Sequence, residues 1–118
     1  MKPLYLADLD DMTEEEIINH IITEYKAGKE DVTKYDILIA SEDQEMIDGN
    51  SWFLLKEKET GNLYENHAGH DSCCGFEEQW EPEETTLEYL KSENHFYLCG
   101  FSKEDYMLIM SFINNIKE

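Results

Sequence analysis

Residues of the types that bind zinc gather in the second half of the chain. They are His67, His70, Cys73, Cys74, His95 and Cys99. The first members are spaced three residues apart and the last pair four apart, and two such groups supply the four tetrahedral ligands that zinc takes. The spacing matches no standard zinc signature, and a buried cysteine more often packs as a small hydrophobic residue. A small zinc-binding structural or regulatory module is our alternative hypothesis, with the ligands His67, His70, Cys73 and Cys99.

Catalysis by a cysteine is the second chemistry that this segment suggests, because a thiol beside a histidine is the pattern of a nucleophile and its base. The charge of the chain opposes it. Its 28 acidic residues against 9 basic ones give a formal net charge of −19, and negative surroundings raise the pKa of a thiol and disfavour the thiolate. The sequence also lacks a glycine-rich phosphate loop and a nucleophile elbow. We therefore predict no catalytic residues and no enzymatic activity.

The negative charge is itself the strongest functional signal. All basic residues are lysines, and the absent arginine is the preferred residue for bidentate contacts to phosphate. This composition argues against direct binding to nucleic acid or to an anionic membrane. Two stretches, 3–25 and 59–90, contain no basic residue, and they can present carboxylates about as densely as duplex DNA presents phosphates, roughly one charge per 1.7 Å of axis. Both a merely solvated surface and a site for a cationic partner remain open at this point.

The longest segment without periodicity, 68–84, lies within the second of these stretches, and long loops in compact domains are often functional. Its Trp80 has Phe76 and Pro82 close by in the sequence, so we predict that Trp80 folds inward and fixes the loop to a sheet. The carboxylates of the loop are then left to face a partner. The predicted partner-binding residues are Glu77, Glu78, Glu81, Glu83 and Glu84.

Capping residues and apolar patterns predict the elements around this loop. Thr13 and Glu16 form a capping box before a helix that ends near Gly28. Thr85 or Thr86 caps a short helix, and Ser102 caps the last helix. The stretch from Ser41 to Asn50 reads as a loop. Short apolar runs predict strands at 35–40, 51–58, 63–67 and 95–101.

Packing these elements economically places the helices on one face of the sheet. We therefore expect a single acidic α+β domain over residues 1–118, with a three- to four-stranded mainly antiparallel sheet and helices packed on one face. The apolar positions predict a core of Ile17, Ile21, Ile22, Ile37, Ile39, Phe53, Leu55, Leu98, Ile109, Met110 and Ile113.

The cysteines and the N-terminal residues indicate the cellular compartment of the protein. Three cysteines, of which Cys73 and Cys74 are adjacent, do not suggest a disulfide framework and favour a reducing environment. The N-terminal residues turn acidic after a short apolar stretch, so they predict no signal peptide. No run approaches the ~18 apolar residues of a membrane helix.

A motif of the form His-x-Ser-Cys-x-Gly-x-Glu-x-Gln-Trp-x-Pro-Glu runs from His70 to Glu83. With its flanks, over LYENHAGHDSCCGFEEQWEPEETTLEYL, and with the strands YDILIAS and SWFLLKEKETG, it resembles a family of small uncharacterised proteins of bacteriophages and prophages. Asp71 stands where that family has a first cysteine, and Cys74 stands where it has a tyrosine. The resemblance implies a phage context and assigns no catalytic residue.

A phage context and extreme acidity together lead to one functional expectation. We expect an accessory protein, without a cofactor, in the cytoplasm of an infected bacterial host. It binds a host protein through that protein's basic surface and inhibits a nucleic-acid-binding defence protein as a nucleic-acid mimic.

Overall fold

The structure is a computed structural model that describes residues 2–43, 49–70, 75–92 and 101–116. These residues form β1 (Leu4–Ala7), α1 (Glu14–Glu24), α2 (Lys29–Thr33), β2 (Tyr35–Asp43), β3 (Gly49–Glu57), β4 (Leu63–His70), β5 (Glu83–Thr85), α3 (Leu87–Leu90) and α4 (Lys103–Asn114). The strands lie side by side in the order β1-β2-β3-β4-β5. The pair β1–β2 is parallel, and the other pairs are antiparallel. The predicted α+β class and mainly antiparallel sheet are confirmed, with five strands in place of three or four.

Helices cover both faces of this sheet, which corrects the prediction of a single helical face. In β3 the side chains alternate, as in any strand. Phe53 and Leu55 pack with α1 and α2 on what we call the first face. Trp52 and Leu54 pack with α3 and α4 on the second face. The physical reason is that the run WFLL is apolar on both sides, and such a strand is stable only when both sides are buried.

The start of α1 is as predicted, but its end is not. The Thr13 hydroxyl accepts from the Glu16 N–H at 3.2 Å, and the Glu16 carboxylate accepts from the Thr13 N–H at 3.0 Å. The helix ends at the C-cap Tyr25, and Lys26 takes the left-handed conformation with φ 53°. Gly28, predicted as the stop, is instead the N-cap of α2. The chain turns early because the buried Tyr25 side chain must enter the core.

The strand β1 lies parallel to β2, with Leu4 opposite Ile39 and Leu6 opposite Ser41. The register of β2 against β3 shifts between Ile37 and Ile39. This β-bulge turns Leu38 and Ile39 toward the same second face, because the extra residue interrupts the alternation of side chains. The strands β2 and β3 also extend into part of the stretch predicted as a loop.

The later elements largely follow their caps. The hydroxyls of Thr86 and Ser102 accept from backbone N–H groups one turn along in α3 and α4, each at 3.1 Å. The strand predicted at 95–101 lies outside the described residues, apart from Phe101, which belongs to no strand. Within the described part of the chain, no helix is both long and apolar enough to cross a bilayer.

Most of the predicted core is buried. Ile22 and Met110 are only partly buried at the margins of the two clusters, and Leu98 lies outside the described residues. The predicted core residues that are fully enclosed are Ile17, Ile21, Ile37, Ile39, Phe53, Leu55, Ile109 and Ile113.

Candidate functional site

The segment 75–85, which we call the glutamate loop, is tied to the end of β4 by the side chain of Gln79. Its Nε2 donates to the carbonyl oxygens of Gly69 at 2.7 Å and Gly75 at 3.0 Å. Its Oε1 accepts from the Gly69 N–H at 2.9 Å. One amide side chain thus satisfies three backbone groups and joins the first residue of the loop to the strand.

A second amide fixes the middle of the loop. Asn66 is buried in β4, at 1% exposure. Its Nδ2 donates to the Gln79 carbonyl at 3.1 Å, and its Oδ1 accepts from the Glu81 N–H at 2.7 Å.

The Glu78 N–H donates to the Tyr25 carbonyl at 2.9 Å while Glu78 takes a left-handed φ of 63°. A non-glycine residue holds that conformation only where surrounding contacts fix it.

Aromatic packing holds the loop from within. The ring of Phe76 is buried and stacks on Tyr25 at 5.0 Å between centroids. Trp80 meets Phe53 edge to face at 5.4 Å, and its indole N–H donates to the Asp31 carbonyl at 3.0 Å. The predicted inward orientation of Trp80 is therefore observed, with Tyr25 and Phe53 as its ring neighbours.

Replacing Trp80 by Ala will lower the melting temperature. The side chain is partly buried, so we expect a loss of about 2–3 kcal/mol, less than the roughly 3–5 kcal/mol of a fully buried tryptophan. Trp80→Phe keeps most of the ring packing and should lose only the bond to Asp31, which makes it the matched control. The measurement is thermal unfolding followed by circular dichroism. A Trp80→Ala variant of unchanged stability that no longer binds its partner would show that Trp80 is a contact residue instead.

The carboxylates on this braced loop point to solvent. All of the predicted partner-binding residues are exposed, and none of them forms an ion pair with a lysine of the described residues. The fold also brings in charge that the sequence does not reveal. Lys26 and Lys34 line a depression of about 490 Å³ together with Glu78, Glu81 and Glu83. The stretch 59–90 contains no basic residue, but in the folded protein two lysines lie beside the glutamates of the loop.

A buried carboxylate links α1 to β2. Glu42 is 1% exposed; its Oε1 accepts from the Tyr25 hydroxyl at 2.5 Å, and its Oε2 lies 2.7 Å from His20 Nε2. Burial, and then the negative charge of Glu42, raise the pKa of Tyr25 far above its usual value, so Tyr25 keeps its proton and donates. This cluster lies under α1 and anchors the helix that supports the glutamate loop.

The pair of His20 and Glu42 makes stability depend on pH. Chiefly the hydrogen bond to Glu42, reinforced by the charges of Glu42 and Glu24 and opposed by partial burial, raises the pKa of His20 above its usual value. A raised folded-state pKa means that protonated His20 stabilises the fold. This stabilisation is complete below the unfolded-state pKa of about 6.5 and is lost as pH rises through the higher folded-state value.

Titration of the His20 ring signals by NMR should therefore give a midpoint above about 6.5. As pH rises through the same range, the difference in unfolding free energy between the native protein and His20→Gln should shrink. A midpoint at or below the ordinary histidine value would contradict the ion pair.

A second buried carboxylate lies in β4. Glu65 is 5% exposed; its Oε1 accepts from the Trp52 indole N–H at 2.9 Å and lies 3.3 Å from His67 Nε2. The sequence gives no sign of either buried glutamate, because strand alternation predicts apolar residues at these buried positions.

The structure describes only some of the residues predicted to bind zinc. His67 faces Glu65, His70 is the last residue of β4, and Cys73 and Cys99 lie outside the described residues. Among the described residues no three histidine, cysteine or acidic side chains are grouped to hold a metal. The zinc site stays a prediction, which elemental analysis of untagged protein tests.

Comparison with known proteins adds no relative to this description. No family model, no curated protein and no solved structure matches the chain.

Proposed function

We propose that this protein is a phage-type acidic accessory protein that acts by binding and not by catalysis. In the cytoplasm of a bacterial host it binds the basic surface of a nucleic-acid-binding defence protein, through the exposed glutamates of the glutamate loop, and keeps nucleic acid out. One observation carries the proposal: five exposed carboxylates lie on the segment that we call the glutamate loop, with Glu83 and Glu84 in its strand β5, and hydrogen bonds and ring packing hold this segment to the sheet.

Rigidity matters because a preorganised surface loses little conformational freedom on binding. The amides of Asn66 and Gln79 hold the loop backbone, so the carboxylates project from a fixed frame. A partner that presents lysine and arginine side chains toward phosphates can present them to these carboxylates instead, and arginine forms bidentate pairs with them. The net charge of −19 adds long-range attraction, which accelerates encounter with a basic protein.

Capture of partners from host lysate, followed by elution with rising salt, tests this function. Charges at an exposed interface are screened over about 8–10 Å at physiological ionic strength, so the bound protein should elute as salt rises and should itself bind nucleic acid. A partner that remains bound at high salt, or one with no affinity for nucleic acid, would contradict the proposal.

A further inference from the structure

Tyr25 belongs both to the buried cluster around Glu42 and to the packing that holds the glutamate loop. Its hydroxyl donates to Glu42 Oε1 at 2.5 Å. Its ring stacks on Phe76 with 5° between the ring planes, and its carbonyl accepts from the Glu78 N–H. Because Tyr25 is fully buried and close-packed interiors transmit displacements, a movement of this residue at one contact affects the others.

The cluster also contains a group that titrates near neutral pH. His20 Nε2 lies 2.7 Å from Glu42 Oε2, and the His20 side chain is 17% exposed, so it can exchange its proton with solvent. The charged groups of the described residues that act on it are Glu42 from β2 and Glu24 from α1, and the Tyr25 ring meets it edge to face at 6.3 Å. Both acids favour the protonated ring. A histidine in such surroundings changes charge near the range of about pH 5 to 8.

Loss of the His20 proton changes the electrostatic balance inside the domain. Protonated His20 offsets the charge of Glu42 at short range, and neutral His20 does not. A buried carboxylate whose charge is less well compensated is costly in the protein interior. The cost falls if the C-terminal turn of α1 loosens and water reaches the carboxylate. Tyr25 is the C-cap of α1, so this loosening moves the residue that holds the glutamate loop.

We propose that protonation of His20 controls the order of the glutamate loop through Tyr25, so that the loop is closed on the sheet at acidic pH and opens more often as pH rises. The closed loop keeps the Tyr25 ring stacked on Phe76, and this packing keeps the Tyr25 hydroxyl on Glu42. The inference concerns the order of the loop and does not depend on the function proposed for it.

The direction of the pH effect follows from the pKa of His20, which the hydrogen bond to Glu42 raises when the loop is closed. In the open state the pair of His20 and Glu42 is weaker, and the ring binds its proton less tightly. Protonation therefore favours the closed loop. The effect is complete below the ordinary histidine pKa of about 6.5 and is lost as pH rises through the higher closed-state value.

Amide hydrogen exchange of the intact protein tests this inference. The Glu78 N–H reports opening of the loop, because it is bonded to the Tyr25 carbonyl. Its protection factor, which corrects for the intrinsic effect of pH on exchange, should fall as pH rises through the midpoint of His20. The fall should be about tenfold for each unit of pKa between the closed and the open loop.

A second amide serves as the matched control. The Lys58 N–H donates to the Lys34 carbonyl at 2.9 Å, in a contact that involves neither α1 nor the glutamate loop. Its protection factor should not follow the titration of His20. Equal losses of protection at Glu78 and Lys58 would mean that pH acts on the whole fold, and this result would overturn the proposal.

Two histidine variants assign the effect to one residue. In His20→Gln the protection of the Glu78 N–H should no longer depend on pH. His67→Gln changes another histidine that lies beside a buried glutamate, and it should keep the pH dependence of the native protein. The proposal is wrong if the pH dependence survives in His20→Gln.

Tyr25→Phe tests the path between His20 and the loop. It keeps the ring that stacks on Phe76 and removes the hydroxyl that contacts Glu42. His20 should still titrate above its ordinary value by NMR, whereas the protection of the Glu78 N–H should no longer follow it. If protection still follows His20 in this variant, the connection does not run through Tyr25. The amide spectrum of each variant checks its fold, and His20→Gln decides the coupling by itself if Tyr25→Phe does not fold.

Discussion

Charge reversal of the glutamate loop will abolish partner binding and leave the fold intact. Changing the five glutamates to lysine raises the formal net charge by two per residue, from −19 to −9. The side chains are exposed and form no ion pairs with lysines of the described residues, so folding loses no ion pair. Like charges then face the basic partner, and we expect affinity to fall by at least about 100-fold, since such juxtaposition costs several kcal/mol. The substituted residues are Glu77, Glu78, Glu81, Glu83 and Glu84.

A control of equal charge separates position from total charge. Five exposed acids elsewhere are changed to lysine in one variant, which should keep most of its affinity and lose only the part due to long-range attraction. Binding is measured by titration calorimetry and stability by urea unfolding. If the loop variant binds like the native protein, the glutamate loop is only a solvated surface. The control residues are Asp11, Glu24, Asp36, Glu59 and Glu88.

Replacing a buried core isoleucine by alanine, on either face of the sheet, will cause a large loss of stability. Ile21 packs in the first-face cluster and Ile113 in the second, and both are fully buried. Each change to alanine should cost about 2–5 kcal/mol, because it removes buried methyl groups and leaves a cavity. That is a large part of the roughly 5–15 kcal/mol by which domains are stable.

Urea unfolding measures both losses of stability. When the slope of unfolding free energy against urea concentration is unchanged, a shift of the midpoint reflects stability alone. Ile18→Ala, on the same helix as Ile21 but only partly buried, should cost clearly less. Unchanged stability in both core variants would mean that the assigned helix faces are wrong.

Local signals account for the parts of the fold that the sequence predicts. The caps at Thr13, Thr86 and Ser102 were predictable because each depends on residues within one turn. The end of α1 was not, because the distant core that receives Tyr25 decides it. The strand β1 was missed because four residues gain stability only by pairing with β2, more than thirty positions away.

The candidate site likewise has features that the local sequence predicts and features that depend on distant contacts. Exposure of the loop glutamates and burial of its aromatic residues follow from residue type and neighbours. The bracing by Asn66 and the lysines beside the depression require knowledge of which segments meet. Asn66 lies in a strand, and Lys26 and Lys34 lie far from the loop in sequence, so no local pattern connects them to it.

Competition for the partner tests the central claim most directly. The nucleic-acid-binding protein captured from host lysate is loaded with labelled nucleic acid, and this protein is added in increasing amounts at fixed salt. We predict that the label is released as the two proteins form a complex, with no species that contains all three components, and that the loop-reversed variant releases none. A stable ternary complex, or equal release by the loop-reversed variant, would contradict binding of the glutamate loop in the place of nucleic acid.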